Sequence, residues 1–256
     1  MRALAGELPH IASDILTRLR ARAPRVHCIT NAVAQHFTAN VLLAAGAIPS
    51  MTISADEIGA FVARADALLV NLGTLDPERR GAIEIAIATA GERVPWILDP
   101  VFVDRSAPRA GFASALVARR PRAIRLNGAE FSALAGGPPS PHALTRYAAG
   151  NATVVGLTGD RDIVADATRM VTIANGDPLM SKVTAMGCAA SALVGACLAV
   201  EADAWNATAA ALILIGVAGE LAAGRAQGPG TFAAGILDAL HGLDQATIVE
   251  RARVES

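Results

Sequence analysis

Three kinds of residue in this chain are suited to act together: two carboxylates, Asp99 and Glu130; an arginine, Arg125; and the stretch Thr184-Ala185-Met186-Gly187-Cys188, which leads into an almost wholly apolar run. The first backbone N–H groups of a helix have no helical partner, and the aligned peptide dipoles favour negative charge at that end. A helix opening at Gly187-Cys188 is therefore an anion site, although the same step read alone is also an ordinary helix start. Paired carboxylates suit Mg2+, which takes hard oxygen ligands, keeps several waters and bridges them to phosphates. Arg125 is placed to reach phosphate oxygens. Together these groups describe phosphoryl transfer, in which catalysis is mostly positioning and charge neutralisation. No Gly-rich sequence ending in Lys-Ser or Lys-Thr is present, so the P-loop class is excluded.

These residues need a scaffold, and the chain supplies short apolar runs bounded by polar or turn residues. They are "RVHCI" at 25–29, "ALLV" at 67–70, "WIL" at 96–98, "AIRL" at 123–126 and "TVVGL" at 153–157, each of strand length. Helical spacing fills the intervals over 38–45, 78–91, 111–119 and 129–134. The alternation predicts a parallel sheet with helices on its faces. The predicted strands end on Thr30-Asn31, Asn71, Asp99, Asn127 and Thr158, and ligands of open α/β sheets bind at the carboxyl ends of the strands. Five polar strand ends far apart in sequence then converge on one rim. Taken singly, each is also a plain loop start.

Asn175-Gly176 lies between two apolar runs and predicts a hairpin, so antiparallel strands are expected at one edge before Thr184. Beyond it, helices are expected over 188–200, 204–224 and 231–243. The apolar region 207–224 is interrupted by Thr208 and Glu220, contains Gly216 and Gly219, and reads as a buried helix rather than a membrane span. "GGPPSPH" at 136–142 reads as a surface loop within one domain covering 1–256.

Composition narrows the function. Hydrophobic residues form 53% of the 256, but aromatics only 4%, so the core must be built from Ala, Val, Leu and Ile. A net charge of -1 offers no footprint for nucleic acid or an anionic membrane, leaving a small molecule as the expected partner. Cys28, Cys188 and Cys197 have neither disulfide nor zinc spacing, and with an N-terminal stretch unlike a signal peptide they point to the cytoplasm. Cys28 and Cys197 read as core residues, and His27 and His36 as structural.

The chain resembles the hydroxyethylthiazole kinase family, a branch of the ribokinase-like superfamily. The resemblance rests on "VHCITNAVAQHFTANVLLAAGAIPSM" at 26–51, "NLGTL" at 71–75, "PWILDPV" at 95–101, "AIRLNGAE" at 123–130, "LTGDRD" at 157–162, "NGDPLMSKVTAMGC" at 175–188 and "GPGTF" at 228–232. The first block is the most specific. The resemblance implies a ribokinase-like three-layer α/β sandwich and ATP-dependent, Mg2+-assisted phosphorylation of 4-methyl-5-(2-hydroxyethyl)thiazole. It implies that Arg125, Asn127, Thr158, Gly159 and Thr184 contact ATP, and that Asp99 and Glu130 hold the metal through water. Ala185, Met186, Gly187 and Cys188 would form the catalytic anion hole. Asn31, Val33, Gly73, Thr74 and Ala185 would line the thiazole pocket, with Met51 closing it from a neighbouring subunit of a homotrimer. Most ribokinase-like relatives have aspartate at the Cys188 position as a base, so the thiol would lie beside the acceptor hydroxyl.

Each role also has a structural reading: Asn31 and Asn71 as turn-formers, Asp99 before Pro100 as a strand stop, Met51 as core filler. Three departures from the family fall on the rim: "FVDRS" at 102–106 in place of a Gly/Ala-rich segment, Leu126 in place of glycine, and Ala185-Met186 before Gly187. They leave open two alternatives, a kinase of another small hydroxyalkyl heterocycle and a ligand-binding homologue with impaired catalysis.

Overall fold

The computed structural model of the protein describes residues 2–255. Nine strands form one sheet: β1 (Arg25–Ile29), β2 (Ile48–Ser50), β3 (Ala67–Asn71), β4 (Trp96–Asp99), β5 (Ala123–Asn127), β6 (Val154–Thr158), β7 (Asp162–Ala165), β8 (Met170–Ile173) and β9 (Val254–Glu255). Their spatial order is β2-β1-β3-β4-β5-β6-β7-β8-β9. Pairing is parallel from β2 through β6 and antiparallel from β6 through β9.

Because side chains alternate along a strand, each strand feeds two cores. Val26 and Cys28, with Leu69, Ile97 and Ala123, join one core with helices α1 (Arg2–Arg22), α2 (Gln35–Ala45), α8 (Met186–Leu198), α9 (Ala204–Ala223), α10 (Pro229–Gly242) and α11 (Gln245–Arg251). Ile29, Leu68, Val70, Leu98 and Ile124 join the other with α3 (Ile58–Ala63), α4 (Pro77–Ala90), α5 (Ala107–Val117), α6 (Gly128–Ala135) and α7 (Pro141–Asn151). The result is the expected three-layer sandwich. Cys28 and Cys197 lie in the first core, as read from their apolar surroundings.

The apolar region read as a buried helix is α9. It is long and apolar enough to span a membrane, yet 78% of that stretch is packed inside the protein. Against it lies α8, all of whose residues from Cys188 to Leu198 are buried. Small side chains let α8 sit directly on β1, β3 and β4, which brings its N-terminus to the carboxyl ends of those strands.

One expectation is corrected. Asn175-Gly176 does not join two strands; the antiparallel edge hairpin is β7–β8, turning at 166–169, where the Asp166 carboxylate accepts the N–H groups of Thr168 and Arg169 at 2.8 and 2.6 Å. Gly176 does take a positive φ of 136°. The chain then enters a 3-10 turn over Pro178–Lys182, because Pro178 lacks the N–H a strand would need and Asp177 caps Leu179 N–H at 2.8 Å. Asn175 is instead a buried tie, donating to Glu220 and to Arg251 C=O and accepting Arg253 N–H at 2.7 Å.

Candidate active site

The sheet register builds the rim. Asn71 pairs with Asp99 across β3 and β4, and Asn127 with Thr158 across β5 and β6, so four of the polar strand ends stand in two adjacent couples. Asn31 lies just beyond β1 and completes the row.

Direct contacts link the central members. Asn71 Nδ2 donates to Asp99 Oδ2 at 2.8 Å, and Ser191 Oγ, reaching in from α8, donates to the same oxygen at 2.9 Å. Asn31 Nδ2 donates to Asn71 Oδ1 at 3.3 Å and to Cys188 Sγ at 3.2 Å. Gly73 N–H donates to Asn71 Oδ1 at 3.0 Å. A methyl group on Gly73 would stand 2.7 Å from Asn31 Cβ, so glycine is what lets these two loops touch. Thr74, at φ +45°, accepts Ala32 N–H at 3.4 Å and ties them a second time.

On the other side, Arg125 projects from β5 against the start of α8. A Cβ on Gly187 would fall 2.5 Å from Arg125 Nη1. Ala189 N–H makes the first bond of the helical ladder, to Ala185 C=O, and the N–H groups of Gly187 and Cys188 have no partner among the described residues. These are the donors an anion needs, beside a guanidinium. Glu130 and Asn127 form a capping box: Asn127 Oδ1 accepts Glu130 N–H, and Glu130 Oε2 accepts Asn127 N–H, each at 2.9 Å. Glu130 Oε1 accepts Phe102 N–H at 3.0 Å. Thr158 Oγ donates to Leu126 C=O at 3.4 Å, and Gly159 N–H to Asp162 Oδ1 at 3.1 Å.

Burial sets the electrostatics. The Asp99 carboxyl is pushed up to about 6 by burial, further raised by Glu130 and opposed by Arg125 and by its Ser191 and Asn71 bonds. Burial and the Asp99 charge push the Cys188 thiol up to about 11, outweighing its Asn71, Asn31 and Arg125 neighbours. It is a neutral thiol at pH 7. Asp162 is raised to about 6, again by burial.

Asn31 Oδ1, Asp99 Oδ1 and Arg125 Nε are all buried without a hydrogen-bond partner. Only six such side-chain atoms occur among the described residues, and these three share one site. Buried polar atoms are nearly always paired, so a cluster of unpaired ones marks where a ligand belongs. The set fits Mg2+ held through water: Asp99 Oδ1 is free, each Glu130 oxygen keeps a second lone pair, and oxygen is the donor this ion prefers.

Two of the residues that depart from the family turn into the cores. Leu126 is fully buried in the second core and Met186 packs into the first. In "FVDRS", Val103 is buried, Asp104 and Arg105 pair with each other at 2.8 Å, and Phe102 faces solvent in a left-handed conformation. Ala185 precedes α8 at φ +71°, where an L-residue is disfavoured by roughly 1–2 kcal/mol. Ala185→Gly is therefore expected to raise stability by about 0.5–1 kcal/mol, the gain being trimmed by the freer unfolded chain. Urea unfolding checks this through a higher midpoint; an unchanged or lower one refutes the strain.

Not every residue expected at the site meets the others within one chain. Val33 is 70% exposed, Thr184 is exposed, and Met51 packs against the first core. His27 is buried and structural, its ring bonded to Ser50 Oγ and Thr52 C=O at 2.8 and 3.0 Å. Ser191 carries no signal that marks it in the sequence, because it lies in an Ala-rich helix, and Asp162 appears there only as the end of the "LTGDRD" block.

A mostly parallel sheet between two helical layers places the chain in the ribokinase-like fold class. A ribokinase-like superfamily protein of Enterococcus faecalis V583 shares that fold, with a TM-score of 0.70 at 15% identity over 88% of this chain and 89% of that one. The model of the hydroxyethylthiazole kinase family matches residues 16–246, and the chain belongs to that family. A probable hydroxyethylthiazole kinase of Agrobacterium fabrum is 47% identical over 256 residues, covering 98% of each protein. The hydroxyethylthiazole kinase of Cronobacter sakazakii is 43% identical, covering 90% of this chain and 92% of its own length. Among solved structures, hydroxyethylthiazole kinase from Pyrococcus horikoshii has a TM-score of 0.92 at 34% identity, covering 96% of this chain and 98% of its own.

Proposed function

We propose that this site transfers the γ-phosphoryl group of ATP to the primary hydroxyl of 4-methyl-5-(2-hydroxyethyl)thiazole, within a single catalytic domain. The cluster of unpaired buried atoms on Asn31, Asp99 and Arg125 carries the reading, because it offers an acceptor, a carboxylate and a cation on residues linked through Asn71 and the Asp99–Arg125 attraction. The acceptor oxygen bonds to the γ-phosphorus, the bond to the β,γ-bridging oxygen breaks, ADP leaves and the hydroxyl proton is released. Arg125, Asn127, Thr158, Gly159 and Thr184 hold ATP. The Gly187 and Cys188 N–H groups receive charge on the transferring phosphate, and Ala185 and Met186 shape the turn that presents them. Asn31, Val33, Gly73, Thr74 and Ala185 line the thiazole pocket. Asp99 and Glu130 would hold Mg2+ through water, and the ion would supply charge neutralisation.

Cys188 orients the hydroxyl and does not take its proton, since a thiol near 11 is protonated at neutral pH. Loose phosphoryl transfer needs little help from a base. Cys188→Asp is expected to keep or raise kcat; a collapse of kcat in a folded variant would contradict this role.

A homotrimer is supported by apolar residues left exposed around the short edge strand β2: Leu43 at 56%, Ile48 at 48% and Phe61 at 42%. Met51 comes directly after that strand and would reach a neighbour's pocket from there. Three buried free cysteines fit the reducing cytoplasm. The deciding experiment incubates the protein with ATP, Mg2+ and the thiazole alcohol and monitors the monophosphate by phosphorus NMR. No product across a wide range of enzyme concentration overturns the proposal.

A further inference from the structure

Asp99, Asn71 and Ser191 are each fully buried. A charge held away from water must be hydrogen-bonded, and both donors available here, Asn71 Nδ2 and Ser191 Oγ, go to the same oxygen, Oδ2. Oδ1 receives none. A carboxylate placed only to stabilise the fold would have both oxygens satisfied. This one is anchored at one end and presented at the other.

Asn71 does more than anchor. Its own Oδ1 accepts Gly73 N–H and Asn31 Nδ2, the two loops that bound the acceptor side. Its amide orientation is dictated by these partners, since only the NH2 end can serve a carboxylate and only the oxygen end can serve two donors. A flip or displacement of this one side chain would break three hydrogen bonds. Ser191 comes from α8, one turn after Gly187, whose C=O lies 3.2 Å from the same hydroxyl. The carboxylate is thereby tied to the helix that forms the anion site as well as to the acceptor loops.

We propose that Asn71 and Ser191 are positioning residues for phosphoryl transfer: they pin Asp99 Oδ2 so that Oδ1 faces the reaction space, and Asn71 holds that carboxylate in register with the acceptor pocket. The inference rests on the phosphoryl-transfer reading of the site and gives roles to two residues that the family resemblance leaves without one.

The test uses Ser191→Ala, which deletes one hydroxyl, and Asn71→Ala, with thermal melting to check folding. A hydrogen bond to a charged group is worth enough that Ser191→Ala should lower kcat about tenfold and Asn71→Ala roughly 100-fold. KM for the thiazole alcohol should stay within about threefold in Ser191→Ala and rise in Asn71→Ala, which also frees the Gly73 loop. Calorimetric binding of Mg2+-ADP should weaken in both, and the Mg2+ concentration for half-maximal rate should rise; a merely structural loss would not move that requirement. Folded variants that keep kcat, Mg2+ requirement and Mg2+-ADP affinity within about twofold of the parent overturn the proposal. If the parent protein binds Mg2+-ADP but phosphorylates no alcohol, the proposed function fails, while the calorimetric comparison of parent and variants still decides the positioning role.

Discussion

Gly187→Ala is expected to lower kcat/KM for ATP by about 100-fold while the protein stays folded. The added Cβ would fall 2.5 Å from Arg125 Nη1 and 3.1 Å from both Cζ and Nη2. Those atoms are the free end of a flexible side chain, so the guanidinium yields and the helix does not. Alanine is also a better helix former than glycine by about 1 kcal/mol, which keeps the variant stable. On the proposed roles, the guanidinium, moved by the order of 1 Å, would no longer meet the phosphate assigned to the Gly187 and Cys188 N–H groups, and misplacement on that scale costs about 100-fold. Steady-state kinetics with varied ATP, alongside thermal melts, make the measurement. Unchanged ATP kinetics would mean that Arg125 does not act on the transferred group.

Asp99→Asn should separate activity from stability in opposite directions. The replacement amide can turn its oxygen to Asn71 Nδ2 and Ser191 Oγ and so keep both anchoring bonds. Its NH2 then occupies the place of Oδ1 and presents a donor where a cation and its waters need an acceptor, so kcat falls by about 1,000-fold. Stability moves the other way. The folded-state pKa of Asp99 is raised from 3.8 to about 6, so the ionised form is disfavoured in the native protein. The penalty is fully present above about pH 6 and vanishes as pH falls through the native and then the unfolded value. At pH 7, without nucleotide or divalent ion, the variant should be more stable by on the order of 2 kcal/mol, and near pH 4 the two proteins should converge. Chemical denaturation at both pH values checks this. Equal stability at pH 7 would show that the carboxylate is not strained by burial.

The strands were legible because short apolar runs of three to five residues ended on polar ones. "AIRL" and "WIL" each extend by one residue, to Asn127 and Asp99, and the polar terminus proves to be part of the strand. The same feature made Asp99 and Asn127 visible as candidate site residues, since strand ends in a parallel sheet share one rim, and Arg125 stands two residues before one of those ends. Asn175-Gly176 suggests a hairpin because both residues tolerate positive φ; only Gly176 adopts it, and Pro178 and the buried Asn175 ties impose a turn in place of a second strand. The helix over Arg2–Arg22 passed unnoticed behind Pro9, although Leu8, Ala12, Ile15, Leu16 and Leu19 give it one fully buried face. Ser191 was invisible for a different reason. In a run of small residues a serine reads as another small residue, and only the packing of α8 over β3 and β4 reveals that its hydroxyl meets Asp99. Met186 was ambiguous in sequence because its side chain had two places to go; its burial in the core settles the direction.

The division of the molecule into two cores also sets an order for its synthesis. The outer layer, α3 to α7, is interleaved with the strands it covers and can close on them as each emerges. The opposite face has only α1 and α2 until α8, α9 and α10 are made, and those three begin at residue 186, after β8 has ended at Ile173. During translation a broad apolar sheet surface, including Ile97, Ala123 and Val154, therefore waits for the last third of the chain. Exposed surface of that kind is what chaperones bind and what drives aggregation when synthesis outruns folding. The helix that brings Gly187 and Cys188 to the rim is also the first of these three to close that face, so the nascent chain shields its sheet and brings those N–H groups to the strand ends in the same step.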